Sequence, residues 1–382
     1  MHFEFSTASR IIFGSGCLEQ IGRLGRDWGR RVLIVTGRDP ERASALREHL
    51  DEAGVTSVVY SVAGEPTLQT IEEGSEVVRA EACDWVIGFG GGSAMDAGKA
   101  IAIMHTQEGE ILDYLEVIGK GRPIRREGLP YIAVPTTSGT GAEVTRNAVL
   151  GFPEHGIKVS LRSPLMLPRV ALVDPSLTLG LPFEITASTG LDALTQLIEA
   201  AVSSRANPMT DALCEKGIQL AAASLERCCF QPGEIGPRED MALAALYSGI
   251  ALANAGLGAV HGFAAPIGGM FSAPHGAVCA ALLPHVWRAN LKAIQPQQKG
   301  KFDRVAQGLL SDASARAEQV QDWIEGLCLR LRIRPLAALG VSASDVTEIA
   351  RRAAQASSMK ANPVNHGPAA LEAILMEAIR VS

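Results

Sequence analysis

At 382 residues the chain is longer than one hydrophobic core usually serves, so two domains are expected. With 47% hydrophobic and 20% charged residues and a net charge of −6, it reads as globular with a sizeable core. The acidic balance and the lack of any basic run leave nucleic acid without an electrostatic footprint. The 7 cysteines include no CxxC pair. That odd count argues against a disulfide framework or a cysteine zinc site and fits a reducing, cytoplasmic setting. Met1-His2-Phe3-Glu4 opens the chain without a charged-then-apolar leader, so no signal peptide is expected.

In chain order, residues 32–37 (VLIVTG) read as a buried strand closed by a glycine, and residues 42–53 as a helix. Residues 57–62 form a second strand, and Thr67 is placed to cap a helix reaching about residue 81. A third strand covers 85–89, a helix 94–105, a fourth strand 131–134 and a fifth 170–173. Alternating strands and helices predict a parallel sheet. After Asp174-Pro175 the strands give way to Ala/Leu-rich helices over 187–203, 211–226, 241–255, 315–331 and 344–357. The expected division is an α/β domain over 1–178 and an all-α domain over 179–382. Residues 241–287 carry no Asp, Glu, Lys or Arg, long enough to span a bilayer. The segment is broken by Pro266, Pro274 and Pro284, so it reads as a buried core segment and no membrane is expected.

Four stretches carry chemistry. Residues 88–96 (GFGGGSAMD) follow a strand and open a helix, where glycines and a helix N-terminus suit a pyrophosphate. The usual dinucleotide fingerprint belongs after the first strand, which here ends in Thr36-Gly37-Arg38-Asp39. Residues 135–143 (PTTSGTGAE) offer hydroxyls to a ribose or phosphate, or else form a hydroxyl-capped turn. In residues 190–199 (GLDALTQLIE), Asp192 and Gln196 share one face of an apolar helix. Asp192 is either a buried carboxylate in need of a partner such as a metal, or a helix-start residue. His261-Gly262 and Pro274-His275-Gly276 place two imidazoles in the charge-free segment. Two such histidines near an aspartate match zinc or ferrous iron, or stand as satisfied core residues.

Taken together, GGGSAMDAGKA, PTTSGTGAEVT, ALVDPSLT, TGLDALTQLIEA and the HG…APHG pair resemble the iron-containing alcohol dehydrogenases, of dehydroquinate synthase-like fold, over nearly the whole chain. The resemblance implies an N-terminal α/β dinucleotide-binding domain, a helical C-terminal domain and a metal in the cleft between them. It assigns Gly91, Gly92, Ser93 and Asp96 to the pyrophosphate and Thr136, Thr137 and Thr140 to the cofactor, with Lys158 and Leu177 near it. Asp192, His261 and His275 match three metal ligands of the family, for Fe(2+) or Zn(2+). The implied activity is metal-assisted hydride transfer between NAD(P)(H) and a small alcohol or aldehyde, commonly in a homodimer.

Three positions depart from the family pattern. Gln196 stands where a histidine ligand is usual, and an amide is a weaker ligand. Ala265 replaces a histidine that lies near substrate in many relatives, which removes a proton-relay candidate and leaves solvent or the cofactor ribose. Gly37 replaces an acid that repels the extra phosphate of NADP. With Arg38 beside it, NADP is expected to be tolerated, although Asp39 is placed to restore the repulsion. A metal-free reductase like the maleylacetate reductases, a dehydroquinate synthase-like lyase and a non-enzymatic binding protein are the rival readings.

Overall fold

The computed structural model describes residues 2–115, 118–271 and 273–380. Internal contacts divide them into two units. One comprises Thr7–Thr137 and Gly141–Thr178; the other comprises residues 179–380 with residues 2–6 and Ser138–Thr140.

The first unit holds β1 (Ile11–Phe13), β2 (Arg31–Thr36), β3 (Thr56–Ser61), β4 (Trp85–Gly90), β5 (Tyr131–Pro135), β6 (Asn147–Phe152), β7 (Ile157–Arg162) and β8 (Val170–Val173). Six of them form one sheet in the order β1-β8-β5-β4-β2-β3, with every pair parallel. β6 and β7 pair antiparallel as a separate hairpin. Helices α1 (Ile21–Leu24), α2 (Ser44–Glu52), α3 (Leu68–Ala80) and α4 (Gly92–Met104) belong to the same unit.

Both faces of the sheet are buried. Leu33, Val35, Val86 and Ala133 pack with Ile71 of α3 and Ile101 of α4. Their strand neighbours Val32, Ile34, Ile87 and Ile132 pack on the other side with Ile21 of α1 and Leu46 and Leu50 of α2. Two-sided burial is why these strands read as unbroken apolar runs. Thr67 caps α3 as expected, its hydroxyl accepting from the Thr70 amide at 3.3 Å. β1 and the β6–β7 hairpin were not anticipated as strands. β1 is three residues long, too short to show a period, and the hairpin faces are only partly covered.

The strand order has a consequence for ligands. β3 lies on one side of β2 and β4 on the other, so the chain reverses its direction of travel across the sheet at β2. Open α/β sheets bind ligands at the carboxyl ends of strands flanking such a point. Gly37 and Gly91 stand there.

A buried carboxylate ties the end of the sheet together. Asp174, just past β8, accepts from the amides of Gly16 and Leu18 at 3.0 Å each and from Ser176 Oγ at 2.6 Å.

The second unit is helical: α5 (Phe183–Val202), α6 (Pro208–Phe230), α7 (Ile235–Ala255), α8 (Ala259–Met270), α9 (His275–Ala293), α10 (Lys299–Leu310), α11 (Val320–Arg330), α12 (Val346–Ala353) and α13 (Pro368–Ile379). One core joins residues from all nine. The charge-free segment lies in α7, α8 and α9, and the residues along it are mostly buried. No single helix among the described residues is long and apolar enough to cross a membrane; α7 and α8 pass such a test only together and are bent by 98° at their junction.

Asp174→Ala removes the acceptor of three backbone amides near the sheet end, those of Gly16, Leu18 and Ser176. Each unsatisfied buried donor costs about 1–3 kcal/mol. We expect the unfolding free energy of the sheet unit, measured by chemical denaturation, to fall by about 2–4 kcal/mol, and an unchanged value would show that solvent already serves those amides.

Candidate metal centre and cofactor loops

Three helices of the second unit bring four ligand-type side chains together. Asp192 lies on α5, His261 on α8, and His275 opens α9 with Cys279 one turn later. One donor atom from each of the four lies within 4.8 Å of the others. Asp192 Oδ1 is 3.2 Å from His261 Nε2 and 3.8 Å from His275 Nε2. Cys279 Sγ is 3.7 Å from each of the same two nitrogens. Asp192 and His261 are buried, with 2% and 6% of their side chains exposed, whereas the His275 side chain is 36% exposed and opens the group to solutes.

The sequence places these groups through close helix packing. A Cβ on Gly276 would lie 2.3 Å from the Ser188 carbonyl oxygen of α5, and one on Gly262 would lie 2.7 Å from Met359 Cε. Gly276 therefore lets α9 approach α5 closely enough for the His275 imidazole to reach Asp192, while Gly262 makes room for the end of the Met359 side chain. A glycine is required there by contact, not by backbone angle.

Behind the group stands Glu199, also on α5 and 4% exposed. Its Oε2 is 2.7 Å from His261 Nδ1 and its Oε1 accepts from the Val260 amide at 2.7 Å. With Nδ1 turned to Glu199, Nε2 is the His261 nitrogen that faces Asp192 and Cys279, and it carries the lone pair when the ring is neutral. Burial opposes charge on His261, yet Cys279, Asp192 and Glu199 hold its pKa well above the usual value. The Cys279 sulfur, against burial and together with Asp192, also raises that of His275. Burial works against ionising Asp192, but the two imidazoles outweigh it and hold its pKa low. Negative charge concentrated this way attracts protons or a cation.

The donor set fits a divalent metal. Tetrahedral bonds of about 2.0–2.3 Å put neighbouring N, O and S donors about 3.3–3.6 Å apart. The observed separations of 3.2, 3.7, 3.7 and 3.8 Å bracket those values.

Gln196 occupies the turn after Asp192, but its amide is engaged elsewhere. Oε1 accepts from Ser248 Oγ at 2.9 Å, and Nε2 donates to the Thr140 carbonyl at 3.4 Å. Ala265 follows His261 by one turn on α8. Sequence reasoning missed Glu199 and Cys279. Cys279 was findable, because its spacing of four from His275 puts both on one face of a helix.

The expected cofactor residues gather at the carboxyl ends of β2, β4 and β5. Gly90, with φ at +153°, lets the chain turn into α4, and a Cβ there would lie 3.5 Å from the Gly37 amide. A Cβ on Gly91 would lie 3.4 Å from Thr137 Oγ1, so the glycine and threonine loops are in contact. No side chain caps α4, which leaves the first-turn amides of Gly92 and Ser93 to an anion. Thr136 is buried, its amide donating to the Gly90 carbonyl at 2.9 Å. Arg38 and Asp39 are exposed, and Asp39 caps the next turn by accepting from the Glu41 amide at 3.1 Å.

Other residues of the expected set are placed less directly. Asp96 is held by the Val149 amide at 2.9 Å and Lys99 Nζ at 3.1 Å, and burial raises its pKa. Its oxygens therefore brace α4 against β6. Lys158 pairs with Glu65, Leu177 packs at the edge of the α1–α2 core, and Thr140 groups with the helical unit.

Residues 8–175 match the family described as iron-containing alcohol dehydrogenase, and residues 186–379 match its C-terminal domain. Alcohol dehydrogenase 4 of Schizosaccharomyces pombe is 35% identical across 98% of this chain and 89% of its own length. A crystal structure of 1,3-propanediol oxidoreductase superposes with a TM-score of 0.93 at 33% identity, covering 99% of this chain and 100% of that one. Sulfoacetaldehyde reductase of Bifidobacterium kashiwanohense, solved with NAD+, gives 0.90 at 28% identity and covers 100% of both. The two-part fold, the parallel sheet and the helical bundle are those of this group of oxidoreductases. The chain belongs to the iron-containing alcohol dehydrogenase family.

Glu199→Gln keeps the shape but gives His261 a neutral partner. Loss of such an outer partner typically costs metal sites 10- to 100-fold in affinity. We expect a drop of about that size in competition with a chromophoric chelator, and undiminished affinity would mean that His261 is oriented by packing alone.

Proposed function

We propose that the protein is an NAD(P)-dependent alcohol dehydrogenase and aldehyde reductase whose divalent metal, Fe(2+) or Zn(2+), is held by Asp192, His261 and His275. The observation that carries this is the convergence of one buried carboxylate and two imidazoles from three helices upon one point. The names of the relatives support small alcohols and aldehydes as substrates. A bound divalent metal supplies Lewis acidity, stabilising negative charge that builds on a substrate oxygen during hydride transfer.

The chain's own residues do the rest. Asp192 offsets the charge of the ion and fixes one edge of the site. Glu199 orients His261, and partly exposed His275 borders the route by which a substrate arrives. Gly91, Gly92 and Ser93 offer amides to the pyrophosphate, and Thr136, Thr137 and Thr140 hold the remainder of the dinucleotide. Ala265 carries no transferable proton, so the alcohol proton leaves through solvent or a ribose hydroxyl. A homodimer in the cytoplasm is the proposed state; the seven free cysteines support a reducing compartment.

Gly37 leaves room for a 2′-phosphate, and we propose that NADP is accepted beside NAD. Asp39 is exposed but spends one oxygen on the Glu41 amide, which turns it toward its own helix.

Two experiments test these points. His275→Ala should lower kcat by about a hundredfold or more, since Lewis-acid stabilisation is worth several kcal/mol, while NAD binding by fluorescence titration is unchanged. Full turnover in that variant, or in chelator-stripped protein, would favour a metal-free reductase. Gly37→Asp has space, with nothing within 4 Å of the added Cβ. It should lower kcat/KM for NADPH relative to NADH by about 10-fold or more through like-charge repulsion, and an unaltered ratio would move the 2′-phosphate elsewhere.

A further inference from the structure

We propose that Cys279 is a fourth protein ligand of the metal and shifts the site's preference from ferrous iron toward zinc. The proposal rests on the reading that Asp192, His261 and His275 hold a divalent ion.

The alternative for a buried cysteine is a small apolar filler. The surroundings of Cys279 do not suit that role. Its Sγ faces two imidazole nitrogens at the same 3.7 Å and shares Asp192 Oδ1 as a neighbour within 4.8 Å. A sulfur set between two ring nitrogens and a carboxylate is placed as a donor atom, not as apolar filler. His261 turns Nδ1 to Glu199, so Nε2 is the ring nitrogen it brings to the same point as the sulfur and the carboxylate. Four ligand-type atoms converging on one point suit a cation between them.

The distances agree with that cation being bonded to sulfur. Donors bonded at about 2.05 Å for nitrogen and about 2.3 Å for sulfur lie about 3.6 Å apart in a tetrahedral set. Both sulfur–nitrogen separations are within about 0.2 Å of that value.

Position supplies the second argument. The residue one turn after Asp192, Gln196, offers only a neutral amide whose oxygen also accepts from Ser248 Oγ at 2.9 Å, a weaker ligand than a thiolate. The residue one turn after His275 takes its place at the ion from the opposite helix. Charge then balances, because Asp192 and a Cys279 thiolate together match a divalent cation. Thiolate is a soft ligand that favours zinc, and zinc already outranks ferrous iron with nitrogen and oxygen donors. Catalytic zinc expands to five-coordinate, so four protein donors do not close the site to substrate.

The test uses the purified full-length protein, stripped and reloaded with Zn(2+), Fe(2+) or Co(2+). The cobalt form should show a thiolate-to-metal charge-transfer band, and X-ray absorption of the zinc form should show one sulfur neighbour at about 2.3 Å. In Cys279→Ser the band should vanish. Zinc affinity should fall about 100-fold or more, at least what losing an outer partner costs, and preference between Zn(2+) and Fe(2+) should move toward iron. X-ray absorption on the unaltered protein decides the matter even if the variant folds poorly. One equivalent of metal with only nitrogen and oxygen neighbours overturns the Cys279 assignment and leaves the three-ligand reading standing. Failure to take up any of the three metals overturns both.

Discussion

Asp192, His261 and Glu199 form a chain of charge through the middle of the helical unit, and the remainder of that unit is arranged around it. Two carboxylates on α5, seven residues apart, both reach one imidazole on α8. Stripping one partner from such a buried set leaves an uncompensated charge, at about 3–5 kcal/mol. Close helix packing is the condition for it. Gly258 sits where a Cβ would lie 2.8 Å from Glu199 Oε1, and Gly276 where one would meet the Ser188 carbonyl. The small residues are thus determined by the polar group, not the reverse.

That arrangement links metal binding to folding. The histidines gain protons only because negative groups crowd them, as the direction of their pKa values shows. A divalent ion answers the same demand with more charge and fixed geometry. Ligand binding to the folded state alone adds to its stability, so an ion held by these groups would be coupled to the folding of the helical unit. The sheet unit is different in kind. Its glycine and threonine loops are backbone amides and hydroxyls at strand ends, and of its buried charges Asp174 and the Asp96–Lys99 pair are met by backbone amides and by each other.

This difference explains which features were legible in the sequence. The sheet was readable because two-sided burial writes itself as apolar runs such as residues 32–35 and 85–87, punctuated by glycines. The ligand-bearing helices were harder. α8 and α9 are apolar nearly all round and lack side-chain caps, so neither period nor start signal marks them. The histidines were visible as rare polar residues in that background. Glu199 was not, because it ends an ordinary-looking amphipathic motif, and its role depends on a partner 62 residues away. Cys279 escaped because cysteine metal sites are usually sought as pairs, whereas here a single thiol joins histidines from two helices. Gln196 is only half legible: its spacing from Asp192 suits a ligand, but spacing says nothing of Ser248, from which its oxygen accepts a hydrogen bond.

The absence of charge over residues 241–287 now has a physical reason. A metal site built from a few donors works best where nothing else competes for them and where the effective dielectric is low. A lysine or arginine within reach of Asp192 would compete with a cation there, and the charged residues of α9, Arg288 and Lys292, lie in its last two turns, away from the His275 end. The same emptiness gives α7 and α8 the hydropathy of a membrane segment, although they are bent sharply and buried among other helices. The segment is apolar for the sake of the three side chains it does carry, so its composition and its chemistry are one constraint.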